Sequence, residues 1–261
     1  MDDLSDFDCT EVTFHGATRT VYRKGSGPAV VVMAEMPGIT PEVADFARKV
    51  VDSGCTAAMP SLFGTDGAEG TNQALAKTMP KACISKEFTA LAVGRASPIT
   101  AWLRALAASL HKECGGPGVG AIGMCFTGGF ALAMMVDDTI VAPVLSQPSL
   151  PLPLGAKRGA DLGISTADLQ IVKQRVDGGC PVLGLRFTED SFVGTRFETL
   201  RRELGDGFIA VEIDSSPGNA YGFDEKSHSV VTTEVVDEPG HPAHEAVNTV
   251  LEFFRSRLEI S

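Results

Sequence analysis

The fold is decided by the stretch Val119–Gly129, which reads V-G-A-I-G-M-C-F-T-G-G. Its first part, Val119–Cys125, is a short apolar run typical of a strand that is buried on both faces. The residues that follow, Gly128–Val136, are mostly apolar and predict a buried helix. Cys125 therefore lies where a strand ends and a helix begins, and Gly123, two residues earlier, leaves room for a sharp turn between them.

A cysteine at this junction has a chemical environment that an ordinary core cysteine lacks. In a nucleophile elbow, a sharp turn between strand and helix holds the reactive side chain above the sheet. The N–H groups and the dipole at the start of the helix favour a thiolate, which is the reactive form of cysteine. The sequence therefore predicts that Cys125 is a nucleophile, and the competing interpretation is a buried structural thiol. Thr127 stands where an elbow usually has glycine, so we expect an unusually tight turn.

Strand-like and helix-like stretches alternate on both sides of this motif, which predicts crossover units. We therefore expect an α/β fold with a mostly parallel central sheet and helices on both faces, formed as a single domain over residues 1–261. Val12–His15 and Thr20–Arg23 predict an antiparallel hairpin at one edge, while the irregular segments Phe63–Pro98 and Ser146–Ser165 are lids, pocket walls or surface excursions. The predicted strands are Ala29–Ala34, Thr56–Leu62, Val119–Cys125, Thr139–Leu145, Pro181–Phe187 and Phe208–Ile213, and the predicted helices are Pro41–Asp52, Ile99–Lys112, Gly128–Val136, Ala167–Val176, Phe192–Leu204 and Ala243–Leu258.

The composition is typical of a soluble globular protein, because 44% of the 261 residues are hydrophobic and 21% are charged. No apolar run approaches the roughly 20 residues of a membrane-spanning helix, and the acidic N-terminus lacks the apolar segment of a secretory signal. The net charge of −11 disfavours binding to nucleic acid or to anionic membranes. We therefore expect a cytoplasmic monomer or small homo-oligomer with no nucleic-acid or membrane partner. The six cysteines include no C-x-x-C pair, which argues against a structural zinc site.

A nucleophile elbow requires an acid and then a histidine later in the chain. Asp190 lies in the loop after a predicted strand, and the neighbouring Glu189 is the competing acid. His228 lies in the polar loop after the last predicted strand. His241 and His244 stand at the start of the final helix, where we expect them to cap the helix or to face solvent. In this arrangement His228 takes the proton of the thiol and later delivers it to the leaving group, and Asp190 orients the imidazole.

Further candidates follow the first strand of the parallel sheet, Ala29–Ala34. An oxyanion hole needs two backbone N–H donors. One is the N–H of Phe126, directly after the nucleophile, and the other candidate is Met36, because Pro37 has no N–H. Glu35 is a carboxylate placed directly after an apolar strand, which indicates either functional geometry or a local ion pair.

Four stretches in this order carry a resemblance to a known family. They are A-E-M-P-G-I at Ala34–Ile39, G-M-C-F-T-G-G at Gly123–Gly129, P-V-L-G-L-R-F-T-E-D at Pro181–Asp190 and A-Y-G-F-D-E-K-S-H-S-V-V-T at Ala220–Thr232. The chain resembles the dienelactone hydrolase family, a cysteine branch of the α/β-hydrolases. The resemblance implies the α/β-hydrolase fold and a triad of Cys125, Asp190 and His228, with Glu35 contacting the resting thiol and moving aside when substrate binds. It also implies hydrolysis of a small-molecule lactone or carboxylic ester through an acyl-thiol intermediate, with no metal or organic cofactor.

The sequence departs from this family at two points. Many members carry the catalytic histidine in an H-G-F motif, whereas here the tripeptide is Y-G-F at Tyr221–Phe223 and His228 follows five residues later, as in a longer-loop variant. Members that act on dienelactone hold the substrate carboxylate with arginines, but no arginine shortly follows His228, and Arg95 and Arg186 are the candidate substitutes. Arg95 and Tyr221 are thus the residues expected to bind substrate, and dienelactone itself is not the expected substrate. The alternative to a hydrolase is a non-hydrolytic ligand-binding or thiol-redox protein on the same scaffold.

Overall fold

A sheet of eight strands runs through the molecule, whose structure is a computed structural model that describes residues 1–84, 97–150, 152–153 and 155–260. The strands are β1 (Asp8–Phe14), β2 (Ala17–Gly25), β3 (Ala29–Met33), β4 (Thr56–Pro60), β5 (Val119–Met124), β6 (Ile140–Ser146), β7 (Val182–Phe187) and β8 (Phe208–Ile213). Their order across the sheet is β1-β2-β4-β3-β5-β6-β7-β8. β2 is antiparallel to β1 and to β4, and the other neighbouring pairs are parallel. The mostly parallel sheet with a hairpin at one edge is therefore confirmed.

Helices cover both faces of this sheet. They are α1 (Pro41–Asp52), α2 (Asn72–Ile84), α3 (Pro98–Cys114), α4 (Phe130–Met134), α5 (Ala156–Gly159), α6 (Thr166–Asp177), α7 (Arg196–Leu204) and α8 (Pro242–Arg257). On one face, α3, α4 and α7 contribute Trp102, Phe130 and Phe197 to a buried apolar cluster. On the other face, α1 and α8 contribute Phe46 and Phe254 to a second cluster. The side chains of β3 alternate between the two clusters, as expected of a strand buried on both faces. The sheet covered by helices on both faces is the α/β architecture expected from the sequence.

The bounds of α1 follow from its end residues. The hydroxyl oxygen of Thr40 accepts a hydrogen bond from the N–H of Val43 (3.4 Å), which caps the first turn. Pro41 occupies the first helical position, where its missing N–H costs nothing. Gly54, with a φ of +94°, then turns the chain out of the helix toward β4. These local signals explain why the helix predicted over Pro41–Asp52 has those bounds in the structure.

Two predicted helices are shorter in the structure because turns precede them. The helix predicted over Gly128–Val136 is limited to α4, because the chain first makes one turn of 3-10 helix at Cys125–Thr127. The helix predicted to begin at Phe192 begins at Arg196 instead. There the N–H of Phe192 donates to Oδ1 of Asp190 (3.0 Å) and holds the chain in a loop.

The two irregular segments contain short helices. α2 lies within Phe63–Pro98, and α5 lies within Ser146–Ser165. Residues 85–96 lie outside the described residues, so the interpretation of the first segment as a lid or pocket wall stays a prediction. In the part of the chain that the structure describes, no helix has the length and apolar character needed to cross a membrane.

Candidate active site

Cys125 stands at the sharp turn that the chain makes after β5. Its φ angle is +51°, in the left-handed region that non-glycine residues rarely adopt, so the turn holds the cysteine in a strained conformation. A side chain at Gly123 would place its Cβ 2.0 Å from the carbonyl oxygen of Thr127, and glycine is therefore required there. The side chain of Cys125 is partly exposed. This is the geometry of the predicted nucleophile elbow.

Thr127 ties this turn to the end of the neighbouring strand β3. Its side chain is fully buried, and its hydroxyl oxygen accepts a hydrogen bond from the N–H of Met124 (2.9 Å). The same hydroxyl lies within donating distance of the carbonyl oxygens of Met33 (2.9 Å) and Ala34 (3.2 Å). A threonine where glycine is usual thus closes the turn with its side chain instead of disturbing it.

His228 and Asp190 come together from two different loops. Nδ1 of His228 lies 2.6 Å from Oδ2 of Asp190, and the carboxylate is buried. Glu189, the competing acid, is exposed to solvent. The hydrogen bond to Asp190 occupies Nδ1 and leaves Nε2 of the same ring for Cys125. The structure thus brings Asp190, and not Glu189, to the imidazole.

The charge of the imidazole is stabilised by its neighbours. Burial lowers the pKa of His228, but hydrogen bonds with Asp190 and Cys125, together with the negative charges of these groups, outweigh burial and raise that pKa to about 11. The hydroxyl of Ser149 lies 3.4 Å from Nε2, and the N–H of Ser149 donates to the carbonyl oxygen of Cys125 (2.9 Å). The three candidate triad residues are therefore adjacent in space.

The other late histidines have structural contacts at the start of α8. Nδ1 of His241 accepts a hydrogen bond from the N–H of Ala243 (3.3 Å), which caps the helix as predicted. Nδ1 of His244 lies 3.2 Å from the carboxylate of Asp237. Neither contact involves Cys125.

Glu35 lies directly after β3 and is buried, with 5% of its surface exposed. Its carboxylate accepts hydrogen bonds from Nε2 of Gln147 (3.1 Å), from the hydroxyl of Ser229 (2.7 Å) and from the hydroxyl of Thr232. Among the hydrogen bonds of the described residues, none joins this carboxylate to the thiol of Cys125. The contact between Glu35 and the resting thiol that the resemblance implies therefore stays a prediction, while hydroxyl and amide donors bond to both oxygens of this carboxylate.

The comparison with known protein families decides the family of this chain. The profile of the dienelactone hydrolase family matches residues 16–258. The chain belongs to the dienelactone hydrolase family. Membership of this family supports hydrolase activity, and no match was found among curated proteins.

Solved structures with the same fold include proteins named as dienelactone hydrolases. A putative dienelactone hydrolase from Klebsiella pneumoniae is 17% identical with a TM-score of 0.61, covering 98% of this chain and 99% of that chain. A dienelactone hydrolase from Anabaena variabilis is 15% identical with a TM-score of 0.62, covering 97% of this chain and 98% of that chain. A dienelactone hydrolase-like promiscuous phosphotriesterase from metagenomic libraries is 15% identical with a TM-score of 0.63, covering 96% and 98%. At these identities the likeness shows the fold.

In this member of the dienelactone hydrolase family, the two expected oxyanion-hole residues follow the neighbouring strands β5 and β3. Phe126 directly follows Cys125 and is buried, with its ring against that of Phe63. Met36 lies in the turn after β3, which the N–H of Gly38 closes by donating to the carbonyl oxygen of Glu35 (2.8 Å). The N–H groups of Phe126 and Met36 remain the predicted donors.

Arg95, the candidate for binding a substrate carboxylate, lies outside the described residues. Arg186 donates hydrogen bonds to Glu212 and Glu198, and its guanidinium stacks on the ring of Phe197 at 4.8 Å. These contacts occupy the Arg186 side chain and argue against a role in substrate binding.

Tyr221, the other expected substrate-binding residue, packs its exposed ring against His241 at a centroid distance of 5.2 Å. It lines a groove with Val211, Pro242 and Thr249 at the edge of the sheet. The residues of that groove do not include Cys125 or any other member of the candidate triad, so this placement does not support a contact with substrate.

Two kinds of site residue were not identified from the sequence. Phe192 is half exposed, and its ring stands edge-on to His228 at 5.5 Å, so it forms part of the mouth of the site. Its position two residues after Asp190 was a signal that could have identified it. Gln147, Ser229 and Thr232 converge on Glu35 from distant segments, and nothing in their local sequence indicates this contact.

Proposed function

We propose that the protein hydrolyses carboxylic esters or lactones with Cys125 as the nucleophile. The observation that carries the proposal is the convergence of three groups: the thiol at the strained turn, the imidazole of His228, whose pKa that thiol raises, and Asp190 at 2.6 Å from that imidazole. A nucleophile, a base and an acid that orients the base are the parts that nucleophilic catalysis requires. Membership of a hydrolase family supports the same reaction class.

In the first half of the reaction, the thiolate of Cys125 attacks the carbonyl carbon and a C–S bond forms. The carbonyl oxygen takes the negative charge, which the N–H groups of Phe126 and Met36 stabilise. When the tetrahedral intermediate collapses, the C–O bond to the leaving group breaks and the imidazolium of His228 gives its proton to the departing oxygen. An acyl-thiol remains on the enzyme. If the substrate is a lactone, the leaving hydroxyl stays attached to the acyl chain.

In the second half, a water molecule attacks the acyl-thiol while the neutral imidazole of His228 takes the proton of the water. The C–S bond breaks, the carboxylic acid leaves, and the thiolate and imidazolium are restored. Asp190 stabilises the imidazolium in the resting enzyme and during the first attack. The two halves of the reaction use residues of this chain, the substrate and one water molecule.

The experiment measures the hydrolysis of p-nitrophenyl acetate and of a small γ-lactone by the wild type and by the Cys125→Ala variant. Because the thiol forms the covalent bond, we expect the variant to lose at least about 10³-fold in kcat/KM. Mass spectrometry of the wild type, quenched during turnover of the acetate ester, should show an acetyl group on the peptide that contains Cys125.

The matched control is Cys9→Ala, because Cys9 is an exposed thiol on β1, a strand at the edge of the sheet. This variant should retain wild-type activity. Hydrolysis that survives Cys125→Ala rejects the proposed nucleophile. A folded wild type that turns over neither substrate favours the ligand-binding alternative instead.

A further inference from the structure

The carboxylate of Glu35 is a buried junction between three segments of the chain. Gln147 reaches it from the loop after β6, and Ser229 and Thr232 reach it from the loop between β8 and α8. Within the described residues, no lysine, arginine or histidine forms a salt bridge with Glu35. A buried carboxylate of this kind depends on its hydrogen-bond donors, and the donors in turn are held in place by it.

Two of these donors belong to the loop that carries His228. Ser229 directly follows the histidine, and Thr232 lies four residues after it. Residues 214–241 form turns without a helix or strand. The backbone hydrogen bonds of the sheet therefore do not fix the position or orientation of the imidazole. Val230, between the two hydroxyl residues, is fully buried. The bonds to Glu35 therefore attach the part of the loop nearest the imidazole to the end of β3.

The same end of β3 is attached to the nucleophile. The hydroxyl of Thr127, two residues after Cys125, lies 3.2 Å from the carbonyl oxygen of Ala34, the residue before Glu35. A short path of contacts thus runs from the elbow through Thr127 to β3, through Glu35 to Ser229, and from there to the neighbouring His228. Each step involves adjacent residues or one hydrogen bond.

We propose that Glu35 is a positioning residue that sets the distance between His228 and Cys125 through Ser229 and Thr232. The proposal rests on the proposed function, since it assigns a role in the same site. Misplacement of a catalytic group by about 1 Å can cost about 100-fold in rate. Loosening the loop should therefore lower kcat, whereas KM should change little because the change displaces a group that transfers protons.

The experiment removes one hydroxyl at constant side-chain shape. Thr232→Val keeps the branched side chain and loses the hydrogen bond to Glu35, and Thr232→Ser is the matched control that keeps the hydroxyl. With p-nitrophenyl acetate, we expect Thr232→Val to lower kcat by about 10- to 100-fold with KM within about 2-fold of the wild type, and Thr232→Ser to recover most of the loss. A double-mutant cycle with Glu35→Gln should be strongly non-additive, because both changes break the same contact.

A second readout does not depend on ester turnover. The rate at which iodoacetamide alkylates Cys125 at pH 6 depends on how close the imidazole lies to the thiol, so it should fall in Thr232→Val and recover in Thr232→Ser. If Thr232→Val does not fold, Ser229→Ala carries the same test at a half-buried position. The proposal is overturned if both hydroxyl variants keep wild-type kcat and alkylation rates while Glu35→Gln loses activity, because Glu35 would then act on the thiol or substrate directly. Loss of alkylation in Thr232→Val despite a wild type that hydrolyses no ester would retain the positioning role and reject only the proposed function.

Discussion

At the scale of the residue, the electrostatics of the site depend on one imidazole between two acidic groups. Asp190 and Cys125 both favour the protonated form of His228, and together they outweigh the cost of burying its charge. A positively charged imidazole therefore lies beside the thiol before any substrate arrives. The same charge that makes sulfur nucleophilic also contributes to the stability of the folded protein, because a pKa that differs between the folded and unfolded states makes stability depend on pH.

This linkage leads to a prediction for Asp190→Asn. The pKa of His228 is about 11 in the folded protein, above its ordinary value of 6.5, so its stabilisation is complete below pH 6.5 and is lost as the pH rises toward 11. Asparagine removes one of the charges that raise this pKa, so the variant has less stabilisation to lose. Urea unfolding at several pH values between 6.5 and 10 should show a steeper fall in the free energy of unfolding for the wild type than for the variant. Parallel pH profiles for the two proteins would contradict the assignment.

At the scale of the element, the elbow depends on a turn that only glycine allows at one position. A Cβ on Gly123 would meet the backbone oxygen of Thr127 at 2.0 Å, whereas a Cβ on Gly129 would have no neighbour closer than 3.4 Å. Backbone cannot move aside as a flexible side chain can. Gly123→Ala should therefore displace Cys125 and lower kcat for p-nitrophenyl acetate by about 100-fold or more.

Gly129→Ala is the matched control for this prediction, since it adds the same methyl group six residues later in the same turn and helix region. It should fold and hydrolyse the ester at close to the wild-type rate. Circular dichroism melts of both variants separate a local change in the turn from a general loss of folding. Equal activities of the two variants would show that the close contact at Gly123 is not what shapes the elbow.

Most of the fold could be predicted because apolar runs and capping residues in the local sequence indicate where strands and helices lie. α1 and β8 have the predicted bounds, since caps and apolar runs define their ends. One error lies at a local turn, where the carboxylate of Asp190 accepts the N–H of Phe192 and delays the start of α7 until Arg196. The apolar periodicity used to predict the helix does not register such a turn.

The site residues that could be predicted are those whose order in the chain and whose chemistry both match what a nucleophile elbow requires. Cys125, Asp190 and His228 occupy an elbow and the two loops that an elbow requires, and the structure brings them together. Thr232 gives no such signal: it lies 197 residues from Glu35 in the chain, and its contact exists only once β3 and the loop after β8 have both folded. Hydrogen bonds between distant polar side chains follow from the assembled fold and not from periodicity.

At the scale of the whole molecule, parallel strands explain why one site can draw on so many segments. The chain leaves β3, β5, β6 and β7 at the same edge of the sheet, because parallel strands share their carboxyl ends. Glu35, Cys125, Gln147 and Asp190 each lie just after one of these strands. The loop after β8 then adds His228. A site at this edge is the general consequence of a parallel sheet, and the elbow determines which chemistry it performs.

The charge of the whole molecule predicts a preference among substrates. The net charge is −11, and Glu35 adds a buried carboxylate next to the loop of His228, so an anionic ester should be repelled relative to a neutral one. We expect kcat/KM for p-nitrophenyl butyrate to exceed that for mono(p-nitrophenyl) succinate at 0.01 M salt, and the gap to narrow at 1 M, as the screening length falls from about 30 Å to about 3 Å. Stopped-flow measurement of both esters across this salt range tests it. The opposite result, an anionic ester that is preferred and that salt slows, would mean that a cation such as Arg95 dominates the mouth of the site, and Arg95→Gln should then abolish the preference.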